Sequence, residues 1–262
     1  MRTLVLELAA RTRVSLIWWL VGILTLGAYV IGIYDSIGGL SDLSRLYESY
    51  PPAVRKLFGE ADIGTLNGWI QIEFMSWFPL ILGVYAGIFA AGSISKEMEQ
   101  RTSDFVLGLP ISRGEFLGSR LIVGLGNMLV ICTLVLLLLV VEAAAFGHSP
   151  AAGRYALALA NAFLLSAALL SAFAVVAVLV DEQVKVIGIT LGSTLVMYVA
   201  TGALKAADAP AWIRYFMPFE HYHSAEAMSG DGLPLWPVAL LLLATAIATT
   251  VAFWWYGRRD LA

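Results

Sequence analysis

The chain has 262 residues, 60% of them hydrophobic and 13% charged, with a mean hydropathy of +0.82 and a net charge of −3. Soluble domains carry roughly 45–50% apolar and about 25% charged residues, so this composition belongs in a bilayer and leaves no polar block long enough for a soluble catalytic domain. The small net charge and lack of a basic run exclude a nucleic-acid partner, and the lone Cys132, set in an apolar run, excludes an intramolecular disulfide and a cysteine metal cluster.

Residues 1–14 place Leu4, Val5 and Leu8 on one helical strip and Arg2, Glu7, Arg11 and Arg13 on the other positions, which predicts a helix lying in the headgroup plane. The apolar run that follows is too long for the core of a cleavable signal. A first span is expected over 15–34, with Trp18 and Trp19 as interfacial anchors. The connection 36–72 carries Leu43, Leu46, Tyr47 and Tyr50 at helical spacing. Pro51-Pro52 then breaks the pattern and Val54, Leu57 and Phe58 restart it, so two short surface helices are predicted there.

The second span, 74–95, covers about 33 Å at ~1.5 Å per residue, enough to cross with some tilt. Pro79 predicts a kink in it, and Gly83 and Gly87, four apart, predict close helix contact. Further spans are expected over 121–141, 155–180, 186–204 and 235–256, the fifth with a second small-residue pair, Gly188 and Gly192. None of the six contains Asp, Glu, Lys, Arg or His. Proton- and ion-coupled carriers retain such residues despite a mid-bilayer cost of roughly 2.5–3.5 kcal/mol, so the energy for any transport is expected to come from outside the membrane. The connection 205–234 is dense in aromatics, holds His221 and His223 near Glu220 and Glu226, and is expected to form short helices at headgroup depth. Two histidines two apart raise a metal site, but no third ligand has a defined spacing, so no metal is expected.

An even span count puts both termini on one side. Ten of the sixteen Lys and Arg residues fall on the side that also holds 96–113, which makes that side cytoplasmic by the positive-inside rule. No lysine follows a glycine, so no phosphate-binding loop exists, and neither H-E-x-x-H nor G-x-S-x-G occurs. The chain is therefore not expected to be an enzyme or to hold a cofactor.

Residues 95–113 read S-K-E-M-E-Q-R-T-S-D-F-V-L-G-L-P-I-S-R. As a helix, Met98, Thr102, Phe105, Val106 and Leu109 share one face and Glu97, Glu99, Gln100 and Arg101 cover much of the rest. Periodicity alone leaves an ordinary surface connection and a docking helix open. This stretch resembles the first cytoplasmic loop of the type-2 ATP-binding-cassette permeases, roughly E-x-E-x-G-T-L-x-x-L-L-x-x-P-[VI]-S-R with a later Lys. Glu97, Glu99, Thr102, Leu107, Pro110, Ile111, Ser112 and Arg113 fall on the pattern, whereas Arg101 stands where Gly is usual and Arg120 is the nearest candidate for the Lys.

The resemblance implies an all-α polytopic membrane protein: one permease domain with six transmembrane helices, an N-terminal interfacial helix, a coupling helix within 96–113 and short external helices. It implies an exporter subunit in the plasma membrane that pairs with a cytoplasmic ATPase subunit, which would hold ATP and Mg, and with a second permease copy or homologue. Glu97, Met98, Glu99, Arg101, Thr102, Pro110 and Arg113 would form the coupling segment. Trp77, Tyr85 and Phe89 of the second span and Thr194, Met197 and Tyr198 of the fifth would line the pathway, suiting an amphipathic, drug-like, peptide or lipid-like substrate. The rival readings are a non-transporting assembly or immunity factor and a lipid-modifying enzyme built on Glu142 and His148, a pair poorly spaced for acid–base work.

Overall fold

The computed structural model describes residues 1–36, 64–99, 112–180 and 182–258. The surface helices expected between 37 and 63 and the middle of the charged stretch, 100–111, lie outside the described residues. Six helices are long and apolar enough to cross a membrane, and among the described residues there is no strand. We label these helices, with two short ones, α1 (Arg2–Ser36), α2 (Leu66–Glu99), α3 (Arg113–Ala145), α4 (Ala152–Leu179), α5 (Gln183–Ala206), α6 (Ala211–Arg214), α7 (Ser224–Ser229) and α8 (Leu235–Arg258). The molecule is an all-α, multi-pass membrane protein.

Several boundaries differ from the sequence reading. The expected interfacial helix and first span are one unbroken helix, because nothing in 2–36 breaks it: Gly22, Gly27 and Gly32 are tolerated and no proline intervenes. The second helix starts eight residues before the expected span, where the Thr65 hydroxyl accepts from the Gly68 amide at 3.1 Å and caps it. It also runs past the apolar limit at residue 95 through Lys96–Glu99. The third starts eight residues early on a capping box, in which Ser112 and Glu115 satisfy each other's backbone amides.

The two central helices are α2 and α4. Some 67% of their most apolar windows is buried, against 17–33% in the other four, whose outward faces carry apolar side chains such as Trp18, Leu129, Val196 and Leu243. α1 packs along α3, α8 along α4, and α5 along α2. Gly83 and Gly87 set the α2–α5 approach. A Cβ on Gly83 would lie 2.8 Å from the Thr194 methyl, and one on Gly87 2.6 Å from Thr190 Oγ1. The second small-residue pair behaves differently, since Gly188 and Gly192 have nothing within 4 Å of a built Cβ.

Pro79 perturbs α2 as expected. Lacking an amide hydrogen, it leaves the Met75 carbonyl without its helical donor, and the Tyr222 hydroxyl donates to that oxygen at 3.0 Å. The Tyr198 hydroxyl donates to the next carbonyl, Ser76 O, at 3.0 Å. Residues Gln71–Met75 form a π-helical turn just before the break, and a second such turn, Ala91–Ser95, precedes the charged end.

Candidate coupling site and outer cavity

The charged end of α2 is tied to its neighbours residue by residue. Glu97 is only 7% exposed, and its carboxylate receives the Arg120 guanidinium from α3 and Arg11 Nη1 from α1, the latter at 2.8 Å. Arg120 is equally buried at 5%. Its Nη1 donates to Ser119 Oγ at 2.8 Å and to Phe116 O at 3.2 Å, its Nε donates to Ser93 O at 3.4 Å, and its guanidinium carbon sits 3.5 Å over the Phe116 ring. This is how a buried arginine becomes affordable: one carboxylate for its charge, and carbonyls and a ring for its remaining faces.

The neighbouring residues complete a collar. The Ser95 hydroxyl donates to Ala177 O of α4 at 3.1 Å. Glu99, exposed, accepts from the Gln183 amide at 3.1 Å, so a carboxylate from α2 caps the N-terminus of α5, where the helix dipole favours a negative charge. Arg113, beyond the undescribed segment, donates to the C-terminal carbonyls of α8, Gly257 O at 3.2 Å and Tyr256 O at 3.5 Å. Residues 95–99 and 113 thus contact every other membrane-spanning helix.

Of the expected coupling residues, Glu97 and Met98 turn inward. Met98 is 9% exposed and packs in the core, so these two side chains face the chain's own helices rather than the surface. Glu99 is exposed; Arg101, Thr102 and Pro110 lie outside the described residues. The inward turn follows from Glu97's partners, because Arg11 and Arg120 sit at the same level on either side. Both arginines are visible in the sequence as cations bordering apolar runs, Arg11 beside Arg13, but nothing there pairs them with Glu97.

The expected pathway residues separate into three environments. Tyr85 and Phe89 stack on each other at 6.0 Å inside the chain, with Tyr85 edge-on to Trp19 of α1 at 5.5 Å and its hydroxyl accepting from Asn127 Nδ2 at 2.9 Å. Phe89 also presses on Gly124 of α3. Thr194 is fully buried against Gly83, and Met197 is partly buried beside the core. Trp77 and Tyr198, ring centroids 5.8 Å apart, border a cavity that the other four do not line.

That cavity, of about 710 Å³, lies at the opposite end from Glu97, between α2, α5 and the 211–231 segment. The segment is stapled to α4: Asn161, fully buried, donates to His221 O at 3.3 Å and accepts from the His223 amide at 2.7 Å, and Arg154 donates to Met228 O at 3.2 Å. The histidines are engaged separately, His221 Nε2 with Tyr215 O and His223 Nδ1 with Glu226, both at 2.9 Å. The His223 contact is the main reason Glu226 is held below the usual carboxylate range. Among the described residues no three His, Cys, Asp or Glu side chains are grouped to hold a metal ion. Glu142 and His148 each bury a polar atom that has no hydrogen-bond partner among the described residues.

A helical membrane protein whose second span ends in E-x-E on a buried ionic collar matches the E-x-E start of the permease loop pattern. The family profile described as ABC-2 family transporter protein matches residues 4–261. The chain belongs to the ABC-2 transporter family. Members are membrane components of ATP-binding-cassette transporters and generally pair with an ATP-binding subunit, so the six spanning helices are those of a permease subunit. No curated protein matches this ABC-2 permease in sequence.

Proposed function

We propose that this permease is the membrane subunit of an exporter whose separate ATPase subunit docks on the 96–113 segment, and that two permease chains form the transporter. The observation that carries the coupling reading is the collar. A push on residues 100–111 is delivered through Ser95, Glu97, Glu99 and Arg113 to α4, α1, α3, α5 and α8 together, because each contact is a hydrogen bond or ion pair to a different helix. The buried contacts, Glu97 with Arg120 and Ser95 with Ala177 O, lie in a low-dielectric surround and hold without slipping, since an unpaired partner there costs several kcal/mol. In this reading Glu97 and Met98 hold the lever's root, Glu99 and Arg101 meet the ATPase, and ATP and Mg reside in that partner. Both termini and 96–113 face the cytoplasm, as the distribution of Lys and Arg indicates, and the plasma membrane is the site of action. Trp77 and Tyr198 are the pathway residues that border open space, which suits an amphipathic cargo leaving toward the far side.

The test uses Glu99→Arg and Arg101→Glu in the full chain reconstituted with its ATPase subunit. Placing a cation at the α5 N-terminus costs about 0.3–1 kcal/mol, so thermal unfolding stays near that of the unaltered chain. Reversal of a paired interface charge costs roughly 2–5 kcal/mol, so co-purification of the ATPase or its substrate-stimulated turnover falls tenfold or more. Normal association and turnover in both variants would reduce 96–113 to a connector and overturn the coupling role.

A further inference from the structure

The cavity at the far end has a size suited to a small ligand, since ligand sites run to roughly 300–1,000 Å³. Its walls are aromatic: Trp77 is 40% exposed, and Phe219 stands edge-on to Tyr198 at 5.4 Å. Val199, also exposed, continues the wall onto the outward flank of α5, so the cavity opens sideways toward the lipid. Its floor holds Gln71, 3% exposed. The Gln71 amide nitrogen donates to Ser224 Oγ at 2.9 Å, while its Oε1 has no hydrogen-bond partner among the described residues. A buried carbonyl oxygen without a donor is costly, so this floor is suited to receive an N–H or O–H from outside the chain.

The charges around the cavity lean negative. Lys205 and Arg214 both pair with Glu220, at 3.4 and 3.3 Å, so the trio keeps one positive charge. Arg214 Nε and Glu220 Oε2 are both buried without a hydrogen-bond partner among the described residues, one donor against one acceptor, which leaves Gln71 Oε1 as the acceptor in excess. Two further carboxylates line the cavity, Glu226 on His223 Nδ1 at 2.9 Å and Asp231 on the Ser229 hydroxyl at 2.7 Å, and neither has a lysine or arginine ion pair among the described residues. A fourth, Glu73, comes into a spanning helix because α2 begins at Leu66. It is exposed, one turn from the exposed Trp77, and makes no hydrogen bond or ion pair among the described residues. A carboxylate kept on the flank of a spanning helix without a partner marks a place for an opposite charge. Four carboxylates thus stand against two cations, and a proton on His223 still leaves the surplus with the acids.

We propose that this cavity is a binding site for a cationic amphiphile, a protonated amine on an apolar chain. Glu73 draws the ammonium to the side opening, the faces of Trp77 and Tyr198 hold it inside, an N–H goes to Gln71 Oε1, and the chain leaves past Val199 toward the lipid. An ammonium answers each feature of the site: aromatic rings attract it through their negative faces, the surplus carboxylates offset its charge, and its N–H groups fill an acceptor that has none. An anion would meet the surplus of carboxylates, and a neutral headgroup would leave that surplus unanswered. Regarding this ligand as the cargo rests on the exporter reading above, whereas the binding itself does not.

The experiment places the purified full chain in phosphatidylcholine nanodiscs, without any ATPase, and measures binding of tritiated dodecylamine, which is charged at neutral pH as lysine is, with the signal of empty nanodiscs subtracted. Saturable binding is expected, displaced by unlabelled dodecylamine at least tenfold more readily than by dodecanol or dodecyl phosphate. Dodecyltrimethylammonium, which has the charge but no N–H, should fall between. The double variant Glu73→Gln, Asp231→Asn, which alters only exposed side chains, should weaken both amines fivefold or more. Gln71→Leu should bring dodecylamine down to the level of the trimethyl compound, and the exposed double variant carries the test where Gln71→Leu lowers thermal stability. Equally ready displacement by dodecanol or dodecyl phosphate, or unchanged affinity for both amines in the double variant, would overturn the site; an undiminished preference for dodecylamine in a stably folded Gln71→Leu would overturn the part given to Gln71. Because no ATPase is present, its failure leaves the coupling reading standing, and failure of coupling in the loop variants leaves this binding unchanged.

Discussion

Glu97 shows how one side chain acquires a role from its surroundings. In an extended helix it is one more acid on a charged face; in the folded chain it sits between Arg11, with a side chain 64% exposed, and the buried Arg120. The two partners are therefore unequal. An exposed ion pair is worth roughly 0–1 kcal/mol, so Arg11→Ala is expected to shift detergent-state stability little. Arg120→Met strips the buried partner from a carboxylate that has lost its water, and breaking such a pair costs roughly 3–5 kcal/mol, reduced here by the charge Arg11 still supplies. Thermal unfolding of the purified chain should rank the variants in that order. Adding Glu97→Gln to Arg120→Met should recover part of the loss, because the uncompensated charge goes with it. Equal effects of Arg11→Ala and Arg120→Met would mean that Glu97 is not buried as described.

Among the elements, α2 does the most. It is buried along both flanks, broken near Pro79, loosened by two π-helical turns, and pressed against α5 through Gly83 and Gly87. The two glycine pairs make opposite predictions although the sequence spaces them identically. Gly87→Ala forces a methyl to within 2.6 Å of Thr190 Oγ1 and 2.8 Å of Thr190 Cβ, atoms close to the α5 backbone that cannot swing away, so the helices must separate at a cost of typically 1–3 kcal/mol. Gly192→Ala meets nothing, and replacing a helical glycine there is expected to be neutral or stabilising by up to ~1 kcal/mol. Unfolding of the two variants in the same detergent checks this. A cost at Gly192 in a membrane-embedded dimer that is absent in the monomer would place that face against the second chain.

For the whole molecule, the pattern of contacts sets one end against the other: an ionic collar at Glu97, and an aromatic cavity beneath the stapled 211–231 segment. The proposed orientation, with the collar end cytoplasmic, rests on the distribution of Lys and Arg. Single cysteines at Ser41, Ser103 and Ser229 in a Cys132→Ser background are expected to react with an impermeant thiol reagent in intact cells at 41 and 229 and to be protected at 103. The reverse pattern would invert the molecule and, with it, the assignment of the ATPase-facing end.

The sequence alone determined the class of protein, the six spans and the proline break, and its charged stretch carried the family resemblance, because each is a local property. Apolar length decides membrane insertion, a missing amide hydrogen decides a kink, and a short string of residues carries the family resemblance. The N-terminal helix ran on past its expected end because amphipathic and apolar helices share one backbone geometry, so a change of composition at residue 14 is no break. What only the tertiary structure decided was partnership. The inward turn of Glu97 depends on arginines 86 positions before and 23 after it; the use of Gly83 and Gly87, but not Gly188 and Gly192, depends on which face of α5 meets α2; and the separation of Tyr85 and Phe89 from Trp77 and Tyr198 depends on where α1 and α3 pack. Helical spacing gives the relative directions of side chains on one helix, but the neighbour each direction meets is fixed by how six apolar cylinders of similar surface pack, and no single segment encodes that.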